Sequence, residues 1–196
     1  MCPRDGLRRT LAHDGSVNGA TLSALRKLKE AHFRLILVTG RSSTNCRQFS
    51  PQITWFDLAV MENGAVLFHP HTGEIEALAP PPPSEFVARL HERGLPLQIG
   101  KSIVATWEPH ENIVLQTIKE MGLELQVIFN KGSVMILPSG VNKATGLRAA
   151  AERLSLTPSK WSGLATRRTI TRFSRFAGIP WRWPTRFLRF ARRWIL

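Results

Sequence analysis

Hydrophobic residues fall along this chain in two rhythms. Between Asn18 and His32 the leucines at 22, 25 and 28 recur at helical spacing with lysines opposite, which predicts an amphipathic helix. Arg34–Thr39 is instead a continuous apolar run closed by Gly40, and Asp57–Met61 repeats it. Such runs read as strands buried on both faces, the kind found in parallel sheets covered by helices. Ser42–Phe49 between them predicts a helix, so this part of the chain has strand, helix, strand at α/β spacing.

After Glu62-Asn63-Gly64 the segments shorten. Ala65–Phe68 and Glu74–Leu78 predict strands around a turn at Gly73, and the prolines at 80–83 mark a connector, because a proline run continues neither a ladder nor a helix interior. Ser84–Arg93 predicts a helix with Ser84 as its N-cap. Ser102–Trp107, a helix over Pro109–Met121, Leu123–Phe129 and Ser133–Leu137 make a second α+β unit, and Val141–Leu154 is again an amphipathic helix. The expected organisation is α/β: a core formed by residues 10–63 and 139–158, interrupted by an α+β unit over 64–138. Trp107 and Phe129 are expected to pack within that unit.

Charge changes this picture at the C-terminal end. The net charge of +13 suggests nucleic acid or an anionic surface. Yet ten of the 27 basic residues lie from Lys160 onward, where no acidic residue follows Glu152; the remainder has 17 basic against 14 acidic. Four of the six tryptophans (161, 181, 183 and 194) fall in the same segment. The composition therefore breaks abruptly, and the body is nearly balanced. No apolar run approaches the ~20 residues needed to span a bilayer, and the N-terminal segment lacks the apolar stretch of a signal peptide, so the expected location is the cytoplasm. Cys2 and Cys46 have neither metal-ligand nor disulfide-framework spacing, and the six histidines show no ligand pattern.

Candidate chemistry lies at two points. A buried strand ending in Thr39-Gly40-Arg41 offers a hydroxyl and backbone N–H groups at the carboxyl edge of a sheet, where α/β folds bind ligands and where phosphate is suited. Lys143, after Asn142 at a helix start, is placed to add an ammonium. With Glu62-Asn63-Gly64-Ala65 and the inserted α+β unit, these segments in this order resemble the haloacid dehalogenase superfamily of phosphatases, in its Cof-like branch, over roughly residues 10–157. The resemblance implies a Rossmann-like three-layer αβα core with a parallel sheet and an α+β cap. It also implies Mg²⁺-dependent hydrolysis of a small phosphorylated metabolite through an aspartyl-phosphate. By the same resemblance Thr39 and Gly40 bind phosphate, Lys143 neutralises phosphate and nucleophile, Asn142 assists, and Arg41, Glu62 and Asn63 are accessory positions. Thr10-Leu11 matches the end of the family's Asp-X-Asp-Gly-Thr-Leu motif.

The acidic motifs of that family are absent. Leu7-Arg8-Arg9 stands where the nucleophile and the general acid–base belong, Asp5 and Asp14 lie at the wrong spacing, and nothing after Glu152 supplies a metal carboxylate. Both motifs return under one-base shifts of the coding frame. Trp161–Ser174, written in permitted codons and read from one base earlier, gives Val-Val-Gly-Val-Gly-Asp-Ala-Glu-Asn-Asp-His-Ala-Phe-Leu, which contains the family's Gly-Asp-X-X-Asn-Asp motif. Cys2–Arg9 read from its second base gives Ala-Leu-Ala-Thr-Asp-Tyr-Asp-Gly, directly before Thr10-Leu11. Residues 1–9 and 159–196 are accordingly expected to be out of frame and poorly packed, and the chain to be inactive. Specific nucleic-acid and membrane partners are not expected. The alternative is a noncatalytic protein that binds a phospho-ligand, or uses the basic segment on nucleic acid or membrane.

Overall fold

The computed structural model of the chain describes residues 12–13, 16–17, 19–42, 51–130 and 132–156. A two-stranded antiparallel ladder of β1 (Ala12–His13) and β2 (Ser16–Val17) precedes helix α1 (Gly19–Glu30). Strands β3 (Ile36–Val38), β4 (Leu58–Met61), β5 (Val66–Phe68) and β6 (Ile75–Ala77) form one sheet in that order. Helix α2 (Ser84–Glu92), strands β7 (Gln98–Ile99) and β8 (Val104–Trp107), helix α3 (Glu111–Glu120), and strands β9 (Leu125–Asn130) and β10 (Ser133–Pro138) follow. Their strands form an antiparallel sheet ordered β7-β8-β10-β9, and helix α4 (Lys143–Arg153) closes the described chain.

The two-face burial expected from the apolar runs is present. All four residues of β4 are buried: Leu58 and Val60 pack with Leu67 of β5 and Ala150 of α4, while Ala59 and Met61 pack with Leu37, Val66 and Phe68 on the other face. Leu25 and Leu28 carry the apolar stripe of α1 onto that second face. The inserted sheet is divided in the same way. Val104 and Ile136 face Phe86 and Leu90 of α2 and Val114 of α3, whereas Ile103, Ala105, Met135 and Leu137 join the cluster that contains Met61 and Phe68. One apolar cluster thus cements the two sheets, and the period-two alternation of β8 and β10 assigns each residue to its side.

Asp57 anchors the parallel pair at its leading edge. Its side chain, 8% exposed, accepts a hydrogen bond from the Leu35 N–H at 2.7 Å and pairs with Arg34 at 2.9 Å and Lys29 at 3.5 Å. Burial pushes the carboxyl up, but the Leu35 and Arg34 hydrogen bonds and the charges of Lys29 and Arg34 outweigh it and hold the group below its ordinary value.

Several expectations need correction. The described core sheet is mixed: β3 and β4 are parallel, but β5 and β6 extend it antiparallel. The hairpin at 66–77, grouped by sequence with the inserted unit, therefore pairs with β4 instead, because the left-handed turn after Met61 reverses the chain against its own sheet. Ser84 is the first helical residue of α2, and Pro83 stands at the N-cap with no side-chain bond. Phe129, expected to pack, is 53% exposed: it shares the face of Leu125 and Val127 but stands near the end of the edge strand β9, outside the cluster those residues join. The short strand β7 has no clear sequence pattern. The helix expected over 42–49 falls, apart from Ser42, outside the described residues, as do Thr10-Leu11 and the segments 1–9 and 159–196.

Candidate functional site

Thr39 follows the last residue of β3, where the parallel ladder ends at the carboxyl edge of the sheet. It is 4% exposed, and its N–H donates to the Val60 carbonyl at 2.8 Å. Its Oγ1 accepts from the Arg41 N–H at 3.3 Å, which leaves the hydroxyl's own hydrogen to be directed elsewhere. Gly40 packs so closely that a Cβ there would stand 2.6 Å from Asn63 Oδ1.

The second segment is the start of α4. Asn142 is its N-cap: Oδ1 accepts from the Ala144 N–H at 2.9 Å and the Thr145 N–H at 3.1 Å, while the Thr145 hydroxyl oxygen accepts from the Asn142 N–H at 3.0 Å. This reciprocal capping box fixes where the helix begins and places Lys143 as its first residue. The helix N-terminus carries partial positive charge, and Lys143 adds a full one. Asn142 Oδ1 is therefore committed to the backbone.

Between the segments stands the turn Glu62–Gly64. Its three residues have positive φ, at 51°, 55° and 108°, and all are buried. The Asn63 N–H donates to the Thr39 carbonyl at 3.3 Å, and the Glu62 N–H donates to the Arg41 carbonyl at 2.9 Å, so this turn grips the end of β3. On its other side Gly64 lies against α4. A Cβ on Gly64 would be 1.9 Å from the Asn142 carbonyl oxygen and 3.0 Å from the Lys143 nitrogen. The residues at 39–41 and 142–143, about a hundred positions apart in sequence, thus flank one tripeptide. Glu62 and Asn63, which sequence reasoning treated as accessory, are the structural link between them. The turn Gly100–Ser102, which sequence reasoning did not single out, meets Glu62 from the inserted sheet.

The donor set for a divalent cation is a different matter. Among the described residues no group of three His, Cys, Asp or Glu side chains could hold a metal ion, and the sequence supplies no acidic residue beyond Glu152. A magnesium ion, which takes carboxylate oxygens, does not fit the residues described. Nor is any described helix long and apolar enough to cross a membrane.

Residues 10–99 match the family model of haloacid dehalogenase-like hydrolases. No curated protein matches the chain by sequence. Solved structures do match by fold. A haloacid dehalogenase-like hydrolase from Bacteroides thetaiotaomicron is similar with a TM-score of 0.64 at 14% identity, over 79% of this chain and 77% of that one. The sucrose-phosphatase of Synechocystis sp. PCC6803, solved with sucrose and phosphate, is similar with a TM-score of 0.54 at 22% identity, over 78% and 69%. A phosphatase of the same superfamily from Bacteroides thetaiotaomicron gives 0.56 at 15% identity, over 74% and 68%. These likenesses place the fold: a Rossmann-like α/β core with a cap.

Proposed function

We propose that this chain, whose residues 10–99 match the model of haloacid dehalogenase-like hydrolases, belongs to that superfamily as a phosphatase-type protein that keeps the phosphate-binding half of its site and lacks the half that performs the chemistry. The observation that carries the reading is the Glu62–Gly64 turn. It joins the Thr39 hydroxyl at the sheet edge to the Lys143 end of α4, two groups suited to one phosphate. In this reading Thr39 and Gly40 hold phosphate oxygens, Lys143 supplies charge, and Asn142 contributes its side-chain nitrogen, its oxygen being used in the cap. Arg41 is an accessory group at the same edge. The ligand is a small phosphorylated metabolite, and a phosphosugar is the class to test first, given the sucrose-phosphatase likeness.

Hydrolysis is a separate matter. No carboxylate stands where Leu7-Arg8-Arg9 replaces the family's paired aspartates, so the covalent route has no nucleophile. Loss of the nucleophile removes that route outright rather than weakening a single electrostatic contribution. The described residues also offer no carboxylate cluster for magnesium, and the sequence has no acidic residue beyond Glu152 to supply one there. We attribute both losses to one-base shifts, which turned the acidic segments into the basic ends of this chain. The domain limits in this reading are a core of 10–79 and 139–158, the hairpin at 66–77 joining it, with the cap beginning after the connector at 80–83 rather than at 64.

The test compares two proteins. The chain as it stands, with Mg²⁺ and a generic phosphomonoester, is expected to give no turnover above background. A chain with both frames corrected, carrying Asp-Tyr-Asp-Gly before Thr10 and Gly-Asp-Ala-Glu-Asn-Asp in place of the segment after Trp161, is expected to hydrolyse it, and to stop on substitution of Thr39 or Lys143. Robust hydrolysis by the present chain, abolished by either substitution, would refute the inactivity. A nucleotide sequence with no single-base shift at codons 1–10 and 157–162 would refute the origin. Nucleic-acid binding through the basic segment is expected to be sequence-independent, to weaken steeply with salt, and to vanish when residues from Lys160 are removed.

A further inference from the structure

Glu62 is a carboxylate with no exposure, on a backbone at φ 51° that non-glycine residues rarely adopt. Asn63 continues the left-handed path at φ 55°. Two such residues store backbone strain, and a buried carboxylate adds its desolvation. A turn of this kind persists only where surrounding contacts determine it strongly, and here they converge on a second sheet. Glu62 Oε1 accepts from the Lys101 N–H at 2.9 Å and Oε2 from the Ser102 N–H at 2.8 Å. Gly100 lies against the same carboxylate: a Cβ there would stand 2.8 Å from Cδ and Oε2. The Ser102 hydroxyl donates to the Ala79 carbonyl at 2.8 Å, which ties this turn to the connector as well.

Glu62 follows the core strand β4, whereas Gly100–Ser102 lies between β7 and β8 in the inserted sheet. The carboxylate therefore crosses from one unit to the other, and Asn63 crosses beside it, with Nδ2 3.1 Å from Met135 Sδ on β10. The apolar cluster shared by the two sheets supplies attraction but little direction, since burial of apolar area is non-directional. Two charge-assisted bonds from consecutive amides to one carboxylate supply what it lacks, a fixed register and angle.

We propose that Glu62 is a positioning residue that fixes the inserted unit over the two phosphate segments, with Gly100 as the surface it needs on the opposite side. The inference rests on the phosphate reading of Thr39 and Lys143 given above. The same tripeptide then sets three things together: the end of β3 through Asn63, the start of α4 through Gly64, and the lid over both through Glu62.

Amide exchange measured residue by residue on the full chain tests it. Glu62→Gln keeps the volume but turns an NH₂ donor toward one of two N–H donors. The Lys101 and Ser102 amides are expected to exchange about ten- to a hundredfold faster, the worth of a charge-assisted hydrogen bond. Amides of β4 and α3 are expected to stay within about twofold, because only the docking is released. Gly100→Ala, which displaces the carboxylate while leaving Glu62 in place, is expected to give the same local pattern. Equal acceleration throughout β4, α3 and the 100–102 turn would reduce Glu62 to a general stabilising residue and overturn the proposal, as would unchanged protection of Lys101 and Ser102. Titration with inorganic phosphate separates the two readings. Phosphate affinity about tenfold weaker in Glu62→Gln supports the positioning role, and equal affinity despite local release overturns it. A wild-type chain that binds no phosphate, yet shows local release in Glu62→Gln, supports the docking and overturns the phosphate reading instead.

Discussion

Replacing Gly146 with alanine sets two well-defined effects against each other. Gly146 lies inside α4, where alanine is favoured over glycine by about 1 kcal/mol through backbone entropy. Its φ is not positive, so alanine meets no conformational barrier. The surroundings oppose it. A Cβ at this position would stand 2.6 Å from Gly64 Cα, 2.6 Å from Val60 Cγ1 and 2.8 Å from the Gly64 carbonyl oxygen. Two of those atoms are backbone, and the third belongs to a side chain with no exposure, so none can rotate away. Ordinary contact begins near 3.4 Å, and α4 would have to withdraw from β4 by about 0.8 Å. That movement loosens Ala150 against Leu58, Val60 and Leu67. Overpacking of this kind costs about 1–3 kcal/mol, and occasionally more. The net expectation is a destabilisation of up to about 2 kcal/mol, with the packing cost cancelling or outweighing the helix-propensity gain.

Urea denaturation followed by circular dichroism reads this directly, with Gly19→Ala as the control. Gly19 is also helical, and a methyl group added there would meet nothing within 4 Å, so its alanine variant is expected to be neutral or stabilised by up to about 1 kcal/mol. A lower midpoint for Gly146→Ala at unchanged slope, with no such fall for Gly19→Ala, fits the packing described. If Gly146→Ala is as stable as Gly19→Ala, α4 does not lie against the Glu62–Gly64 turn, and the argument joining Lys143 to Thr39 loses its geometry.

Other expectations follow from the same contacts. Asp57→Asn should cost about 1–3 kcal/mol near neutral pH, chiefly through loss of the negative charge behind the Leu35 N–H bond, which the amide oxygen can still accept, since the Arg34 partner is 61% exposed. Because the folded carboxyl is held below its ordinary value, its stabilisation is present above the unfolded value of about 4 and is lost as pH falls through the lower folded one. Wild type and Asp57→Asn should therefore converge in denaturation midpoint below about pH 4; a constant gap down to acid pH would show that the carboxylate is not what matters. Leu67→Ala, fully buried between β4 and α4, should cost about 2–5 kcal/mol, and a loss below about 1 kcal/mol would mean that this face of the sheet is not closed. Arg153→Ala should change stability by less than about 1 kcal/mol despite the 2.6 Å contact to Glu76, because the pair is solvated, and a larger loss would contradict that.

What the sequence revealed and what it concealed divides along physical lines. The doubly buried strand β4 and the helices α1 and α4 were legible because their apolar periodicity is a local property of consecutive residues. The segments at 39–41 and 142–143 stood out as residue types in order, but the cap was not legible: a helix expected from Val141 hides Asn142 as the residue that starts α4, which its bonds from the Ala144 and Thr145 N–H groups establish. The pairing of β5 and β6 with the core sheet was not legible. Nothing in Val66–Phe68 says which sheet it joins, since alternation determines faces but not partners. The exposure of Phe129 was hidden for a related reason: it shares a face with the packed Leu125 and Val127, and only the sheet order reveals that its strand lies at an edge.

The role of Glu62 lay deepest. Its sequence neighbours mark a turn, but its carboxylate is satisfied by amides about forty residues later, beside a glycine that has no signature of its own. An acidic residue before Asn-Gly looks solvent-exposed when only local chemistry is weighed, whereas full burial requires partners, and partners at that distance are fixed only by topology. The same consideration sharpens the contrast with the ends of the chain. Among the described residues the buried carboxylates of Asp57 and Glu62 have found their donors; in the sequence from Lys160 onward ten cations have no acidic partner in their own segment.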